Sequence, residues 1–238
     1  DLIIWPETAI ASKYHMTKNF ISEINKKQQS SNTFFMSGIV NDDVTSDNYF
    51  NSIILIDNKH RFYNKHRLVP FGEYLPFRKI LSRPLHLLNI PISNFSSGKK
   101  TEKNFKTSKG NFGMSICYES AYGNEIRRSM PDANILINVS NDAWFGDSIA
   151  PHQHLQIARM RAMENGRYFL RATNNGISAI INNKGKTISR SPQFEKNVLN
   201  SDVELFSGET PFSKYGNIPL LIFFTFVLFI NIIRRKVF

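Results

Sequence analysis

Residues 112–119 read FGMSICYE, an apolar run that ends at Cys117, the only cysteine in a chain of 238 residues. A single thiol cannot form an intramolecular disulfide, and one cysteine is a poor basis for a metal site. Cys117 is therefore either a small buried residue that serves packing or a nucleophile. The apolar run before it predicts a β-strand, which would place Cys117 at the carboxyl end of that strand.

The segments on both sides of this run alternate between predicted strands and helices. Residues 134–139 (NILINV) form a continuous apolar run that is typical of a central strand. Pro151 is typical of a first helical turn and predicts a helix that extends to about Asn165. Apolar residues at helical spacing predict another helix over residues 13–29, whereas residues 65–110 are expected to be irregular. This order favours a layered α/β domain.

The composition limits the class of protein. Hydrophobic residues make up 41% of the chain, which excludes a disordered protein. Thirty Lys and Arg against nineteen Asp and Glu give a net charge of +11, which admits nucleic acid, anionic lipid or an acidic partner. No zinc-finger spacing, helix-turn-helix pattern or aromatic RNA-binding signature accompanies the charge, so we expect no nucleic-acid partner.

The C-terminal region predicts a membrane helix. Residues 218–233 read IPLLIFFTFVLFINII without a charge, and the basic residues 234–236 (RRK) follow at once. A buried core helix is the alternative, but apolar faces all round and an abrupt basic stop favour a membrane span. The positive-inside rule then places the C-terminus in the cytoplasm. Because Asp1 lies inside a predicted strand, we expect the chain to be a fragment of a longer protein.

Three stretches place a reactive residue just after an apolar strand: 5–7 (WPE), 63–73 (YNKHRLVPFGE) and 116–119 (ICYE). Ligands of open α/β sheets bind beyond the carboxyl ends of the strands, so these stretches could converge there. A thiol nucleophile needs a base, and an oxyanion needs a fixed positive donor. Taken alone, Glu7 could be an exposed carboxylate and Lys65 a solvated lysine.

These stretches, together with the longer segments 138–146 (NVSNDAWFG), 151–164 (PHQHLQIARMRAME) and 171–176 (RATNNG), resemble the carbon–nitrogen hydrolase (nitrilase) superfamily. The resemblance is closer to one branch, the apolipoprotein N-acyltransferases of bacterial inner membranes. It implies an α/β fold, a nitrilase-like αββα sandwich without its N-terminal part, followed by one C-terminal transmembrane helix. Residues 1–213 would form the catalytic domain, and residues 214–238 the membrane helix with a short basic cytoplasmic tail.

The resemblance implies a catalytic triad of Glu7 as general base, Lys65 as oxyanion-stabilising cation and Cys117 as nucleophile. It further implies transfer of an acyl chain from a membrane phospholipid, through a cysteine thioester, to the α-amine of the lipid-modified N-terminal cysteine of a bacterial apolipoprotein. The catalytic domain would then lie on the periplasmic side of the inner membrane. The alternatives are a membrane-anchored, nitrilase-like amidase that hydrolyses a small C–N bond, and a catalytically silent binding module.

Three further residues match supporting positions of the family. Glu73 would orient the lysine or the base, and Tyr118 and Glu119 would assist the nucleophile. Glu119 has two alternatives, a surface carboxylate that points away from the thiol or the base itself. A lysine with two carboxylates near it would lower the pKa of the thiol less than a lone lysine would. We therefore expect proton transfer from Cys117 to Glu7 during attack rather than a permanent thiolate.

Residues 71–95 contain more apolar side chains than a solvated loop needs. We expect Leu87 and Leu88, and also Trp144, to face lipid. The alternatives are that the loop covers the core of the domain and that Trp144 is scaffolding. The cluster at 152–154 (HQH) lacks a third ligand at a suitable spacing, so the sequence implies no metal, and nothing in it indicates a cofactor.

Overall fold

The computed structural model describes residues 1–43, 48–57, 59–76, 94–100 and 104–237. The strands are β1 (Leu2–Ile4), β2 (Ile10–Lys13), β3 (Phe34–Asp43), β4 (Asn48–Ile56), β5 (Arg61–Asn64), β6 (Asn104–Thr107), β7 (Gly110–Ile116), β8 (Ile135–Asn141), β9 (Tyr168–Asn174), β10 (Ala179–Ile181) and β11 (Thr187–Arg190). The helices are α1 (Lys18–Ser31), α2 (Gly123–Ile126), α3 (Ala150–Asn165), α4 (Pro211–Tyr215) and α5 (Ile218–Val237). Short 3₁₀ turns include Cys117–Ala121 and Asp142–Phe145.

The strands form two sheets of mixed direction. The first sheet has the order β1-β3-β4-β5, with β2 also paired to β3, and the second has the order β11-β10-β9-β8-β7-β6. In the first sheet β1 is parallel to β3, whereas β4 is antiparallel to both β3 and β5. In the second sheet β7, β8 and β9 are parallel neighbours. Within the first sheet, β1, β3 and β5 therefore run in the same direction. Within the second sheet, β7, β8 and β9 are parallel to one another.

The two sheets pack face to face. Because successive side chains of a strand point to opposite faces, each strand has one face toward the other sheet and one face away from it. In β4, Ile53 and Leu55 contact the second sheet in one core cluster, whereas Ile54 and Ile56 belong to the cluster that includes Ile21 of α1. Burying an aliphatic side chain of this size contributes about 1.5–3 kcal/mol, so both faces of the strand stabilise the fold.

The second sheet is covered by α3 on its outer face. Leu155, Ala158 and Ala162 of α3 pack with Leu136 of β8 and Phe169 of β9. The small alanines let the helix approach the sheet closely. With α1 on the outer face of the first sheet, the layers follow the order helix, sheet, sheet, helix. The predicted αββα sandwich is confirmed for the described residues.

Several predicted elements differ from the structure at their ends. The predicted helix start at Lys13 is wrong, because Lys13 pairs with Val40 at the end of β2, and α1 begins only at Lys18. The prediction of an irregular segment 65–110 is also wrong at its end, since β6 pairs with β7 there. Helix α3 begins at Ala150, with Pro151 in its first turn, and its last residue is Asn165. Gly166 follows with a positive φ of 62° and terminates the helix.

The C-terminal segment is helical, and its large apolar side chains are exposed from Ile218 to Ile233. The predicted transmembrane helix is not confirmed, because no helix within the described ranges combines the length and the apolar character needed to cross a bilayer. The predicted domain boundary after residue 213 falls inside α4 and stays a prediction. Leu87 and Leu88 lie outside the described residues.

Candidate active site

The predicted triad residues follow three strands at their carboxyl ends. Glu7 comes shortly after β1, Lys65 directly after β5, and Cys117 directly after β7. The charges of Glu7 and Lys65 both act on the Cys117 thiol. The structure therefore brings these three side chains together at one edge of the sandwich, with the first sheet supplying two of them and the second sheet the thiol.

Glu7 is buried and held by amide donors from both sheets. Its Oε1 accepts a hydrogen bond from Asn51 Nδ2 at 2.6 Å, and its Oε2 accepts one from the Asn141 backbone N–H at 2.7 Å. Gly38 lets the backbone come this close, because a Cβ at that position would lie 2.5 Å from the Glu7 Cα. Burial raises the pKa of Glu7, while Lys65 and Asn51 oppose that shift.

Lys65 is only 1% exposed and is enclosed by carboxylates. Its Nζ lies 2.9 Å from Glu73 Oε1 and 3.8 Å from Glu7 Oε1. Burial by itself would lower the pKa of Lys65, but the charges of Glu7 and Glu73 help to raise it above its ordinary value. The ammonium group is therefore a permanent, fixed cation rather than a proton donor at neutral pH.

Glu73 connects the lysine to its loop, as the family resemblance implies for an orienting carboxylate. Its Oε2 accepts from the Val69 backbone N–H at 2.8 Å, and its Oε1 accepts from Asn51 Nδ2 at 2.7 Å as well as from Lys65. Asn51 thus donates to both carboxylates of the site and fixes the distance between them. Sequence analysis did not identify Asn51, which gives no signal beyond a polar residue inside an apolar strand.

Cys117 has a backbone conformation that is unusual for a non-glycine residue, with φ of 51°. Burial and the charge of Glu7 raise the pKa of its thiol to about 11, against the opposing effect of Lys65. The thiol is thus protonated at neutral pH and requires a base during attack. This agrees with the expected transfer of its proton in place of a permanent thiolate.

Glu119 is 2% exposed, and both of its oxygens are occupied. Four donors lie within 3.0 Å of its carboxylate: the backbone N–H groups of His66, Arg67 and Ile116 and the Tyr63 hydroxyl. Burial raises the pKa of Glu119, and these backbone hydrogen bonds oppose the shift. The carboxylate ties the Lys65 loop to the turn that carries Cys117.

The remaining predicted residues lie at the surface. Tyr118 is exposed and stacks edge-to-face on Tyr122, and Trp144 is 86% exposed on the 3₁₀ turn after β8. No group of three or more His, Cys, Asp or Glu side chains that could hold a metal occurs in the parts of the chain that the structure describes.

Sequence analysis missed a buried polar network behind Cys117. It consists of Asn138, Asp142, His154 and Arg171, whose polar atoms lie 2.6 to 3.2 Å apart. Arg171 and Asp142 form a salt bridge between fully buried side chains. The one available signal was the alternation of Asn138 and Ser140 with apolar residues in β8, which indicates a polar row on one face of a buried strand.

The arrangement of a buried base, a fixed cation and a protonated thiol suits covalent catalysis by cysteine. The family model of carbon-nitrogen hydrolases matches residues 1–209. The chain belongs to the carbon–nitrogen hydrolase family.

Relatives with a named activity are similar over nearly all of this chain. An apolipoprotein N-acyltransferase of Haemophilus influenzae is 40% identical and aligns with 99% of this chain and 48% of its own length. One of Methylococcus capsulatus is 38% identical and aligns with 92% of this chain and 44% of its own length. The chain thus spans about half the length of the curated relatives that it matches.

Solved structures share the fold at lower identity. A carbon-nitrogen hydrolase from Helicobacter pylori superposes with a TM-score of 0.63 at 15% identity, covering 82% of this chain and 75% of that one. XC1258 from Xanthomonas campestris, a CN-hydrolase superfamily protein with an arsenic adduct in its active site, gives 0.59 at 16% identity, over 82% and 75% of the two chains.

Proposed function

We propose that this protein is an apolipoprotein N-acyltransferase of the bacterial inner membrane, and that Glu7, Lys65 and Cys117 are its catalytic residues. The observation that carries the proposal is Lys65, a buried cation held within 4 Å of both Glu7 and Glu73 beside the only thiol. The relatives of 38–40% identity that bear this name support the choice of acyl transfer over hydrolysis.

In the first half-reaction, Cys117 Sγ attacks the carbonyl carbon of a phospholipid ester, and its proton passes to Glu7. The Lys65 ammonium and a backbone amide stabilise the tetrahedral oxyanion that forms. When this intermediate collapses, the ester C–O bond breaks, the leaving alkoxide takes the proton from Glu7, and a lysophospholipid departs. Cys117 then carries the acyl chain as a thioester.

In the second half-reaction, the α-amine of the lipid-modified N-terminal cysteine of an apolipoprotein attacks the thioester carbonyl carbon. Glu7 accepts the proton from the attacking nitrogen, the C–S bond breaks, and the proton returns to Sγ. The products are an N-acylated lipoprotein and the free thiol. Glu73 pairs with Lys65, and Glu119 accepts four hydrogen bonds, so both carboxyl groups hold their neighbours in place.

The same proposal assigns a lipid-facing role to α5 and to Trp144. The large apolar side chains of α5 from Ile218 to Ile233 are exposed, as is Trp144 beyond β8. We place α5 in the membrane, the catalytic domain on the periplasmic side and the C-terminus in the cytoplasm, on the basis of the charges that follow residue 233. Leu87 and Leu88 stay predictions of lipid contact, and so does the domain division after residue 213.

The test is intact-mass analysis of the complete protein that carries this chain, incubated with phospholipid vesicles and no acceptor. We expect an adduct of one acyl chain on Cys117, released by an amine acceptor peptide. The variant Cys117→Ala should show no adduct, because no atom remains to carry the acyl group. Lys65→Ala should reduce the rate of adduct formation by about 100- to 1,000-fold, since the oxyanion loses its fixed charge.

The amidase alternative gives a different result in the same experiment. An amidase would form no adduct from phospholipid but would release ammonia from a small amide substrate. A protein that shows neither activity, with Cys117 intact and the fold preserved, would support the silent binding module instead.

A further inference from the structure

The backbone carbonyl of Cys117 points into the protein and is surrounded by three side-chain donors. Asn138 Nδ2 lies 3.2 Å from the carbonyl oxygen, Ser120 Oγ 3.1 Å and His154 Nε2 3.2 Å. A φ of 51° is strained for a residue with a side chain, so the backbone of Cys117 adopts it only where its surroundings hold it. These donors hold the peptide plane that follows the nucleophile.

The network behind these donors is buried. Arg171 Nη1 donates to Asn138 Oδ1 at 2.9 Å, which orients the Asn138 amide so that its Nδ2 faces Cys117. Arg171 Nη2 donates to Asp142 Oδ2 at 2.6 Å and lies 2.9 Å from His154 Nδ1. The salt bridge that anchors Arg171 has both side chains fully buried, so no water competes with these contacts.

The contact with Arg171 decides which nitrogen of His154 carries the hydrogen. A guanidinium nitrogen can only donate, so the Nδ1 atom that lies 2.9 Å from Arg171 Nη2 acts as an acceptor. On the other side of the ring, Nε2 lies 3.2 Å from the Cys117 carbonyl oxygen, which can only accept, so Nε2 carries the hydrogen. Burial and the charge of Arg171 lower the pKa of His154, against the opposing effect of Asp142, so the ring is neutral at neutral pH.

The position of this hydrogen controls the donors at Cys117. With the hydrogen on Nε2, His154 donates toward Ser120 Oγ at 2.9 Å and the Cys117 carbonyl, which leaves the Ser120 hydroxyl free to donate to that carbonyl as well. With the hydrogen on Nδ1, Nε2 would be an acceptor and would draw the single hydroxyl hydrogen of Ser120 away. The carbonyl would then lose two of its three donors.

We propose that Arg171 holds His154 in its Nε2–H form, and that His154 thereby positions the nucleophile by fixing the Cys117 backbone. Asp142, His154 and Arg171 are positioning residues that act through Cys117 and touch no substrate. They keep the thiol beside Glu7 and Lys65. The consequence for acyl transfer rests on the proposed function, whereas the positioning of the thiol does not.

The first experiment measures how strongly Glu7 changes the ionisation midpoint of the Cys117 thiol. The pH dependence of Cys117 alkylation by iodoacetamide gives the midpoint of thiol ionisation, and Glu7→Gln should lower that midpoint because Glu7 helps to raise the pKa. In the background of His154→Asn, which lacks a donor at the Nε2 position, we expect this downward shift to fall to less than half. His154→Gln places an amide donor there and should preserve the shift.

The exposed His152, two residues earlier on the same helix, supplies the matched control His152→Gln, which should leave the shift unchanged. A full-sized shift in the His154→Asn background would overturn the proposal. Because alkylation needs no phospholipid, a protein that fails to transfer acyl chains but shows this pattern would contradict the proposed function and support the positioning role.

A second measurement does not use His154→Asn and so remains decisive if that variant does not fold. The ¹⁵N spectrum of histidine side chains in the wild-type chain should show His154 with a protonated Nε2 and an unprotonated Nδ1, assigned by comparison with His154→Gln. Arg171→Lys, which offers no second donor in a fixed plane, should move the hydrogen toward Nδ1. A protonated Nδ1 in the wild-type protein would overturn the proposal.

Discussion

Lys65 and its carboxylates determine how the thiol behaves. One buried cation faces the two carboxyl groups of Glu7 and Glu73, so its effect on the pKa of the thiol is offset by its own partners. A buried ion pair costs desolvation energy that only close partners and further hydrogen bonds offset. Here Asn51 supplies hydrogen bonds to both carboxylates. The site therefore favours a neutral thiol at rest and a proton transfer during attack.

Glu7→Gln separates the proposed role of Glu7 as a base from the effect of its charge on the thiol. The glutamine keeps the shape but accepts no proton, so we expect acyl-enzyme formation to be lost. At the same time the alkylation midpoint of Cys117 should fall from about 11, because a negative charge that raises the pKa is removed. The exposed Glu23 gives the control Glu23→Gln, which should change neither measurement. Abundant thioester in Glu7→Gln would mean that Glu7 is not the base, and Glu119 would then be the next candidate.

The candidate catalytic residues could be predicted from the sequence because a reactive side chain is unusual directly after an apolar strand. Glu7, Lys65 and Cys117 each follow an apolar strand, and the family resemblance gave them roles. His154 and Arg171 belong to the segments 151–164 and 171–176 that carry the resemblance, yet the only functional role considered for His154 was that of a metal ligand. A polar residue that faces inward is indistinguishable in sequence from one that faces solvent until the register of its strand or helix is known.

The register of the three parallel strands explains how the network forms. Ser115 of β7 pairs with Asn138 of β8, and Asn138 pairs with Arg171 of β9. Paired residues of neighbouring strands point to the same face, so these polar side chains form a row across the sheet. Helix α3 covers that face and brings His154 onto the row. One slip of register by a single residue would send the row to the opposite face.

Strand and helix types were more predictable than their ends. The apolar runs at 112–117 and 134–139 became β7 and β8 within two residues of the expected bounds. The helix start at Lys13 could not be predicted from spacing, because pairing of β2 with β3 decides it, and that is a long-range contact. β6 was missed because its partner β7, not its own four residues, defines it as a strand.

Helix α5 gives a prediction at the scale of the element. The proposed lipid-facing role of the exposed apolar side chains of α5 predicts that the chain floats with phospholipid vesicles in a density gradient. Phe224→Asp combined with Leu228→Asp, one turn apart on the helix, should abolish flotation, since each aspartate costs about 2.5–3.5 kcal/mol at the centre of a bilayer. Val198→Asp is the control, because Val198 is 91% exposed but lies outside the helix. Undiminished flotation of the double variant would contradict the lipid-facing role.

At the scale of the whole molecule, the site joins two sheets that each have their own helix. Glu7 and Lys65 come with the first sheet, and Cys117 and its network come with the second. The Asn141 N–H of β8 donates to Glu7, and Asn174 Nδ2 of β9 donates to the Glu7 carbonyl. The contact between the sheets is therefore polar at the site and apolar beneath it. The sandwich was predicted through the family resemblance, whereas these bridging amides emerged only from the structure.

The salt bridge in the network should also make the stability of the whole domain depend on pH. Burial would raise the pKa of Asp142, but its contact with His154 and the charge of Arg171 hold it at about 2, below the ordinary value of 3.8. Because the folded-state pKa is the lower one, this stabilisation is fully present above about pH 4 and is lost as the pH falls toward about 2. The difference corresponds to about 2 kcal/mol of unfolding free energy.

Asp142→Asn removes this titration. The difference in the free energy of unfolding between the wild-type protein and the variant should therefore narrow by about 2 kcal/mol between about pH 5 and about pH 2. Urea unfolding across that range measures the difference, with Asp132→Asn at an exposed aspartate as the control. Above pH 5 the variant should be the less stable protein by several kcal/mol, since Arg171 is left buried without its carboxylate. A difference that stays constant down to pH 2 would mean that Asp142 is not held ionised by Arg171 and His154 in the folded protein.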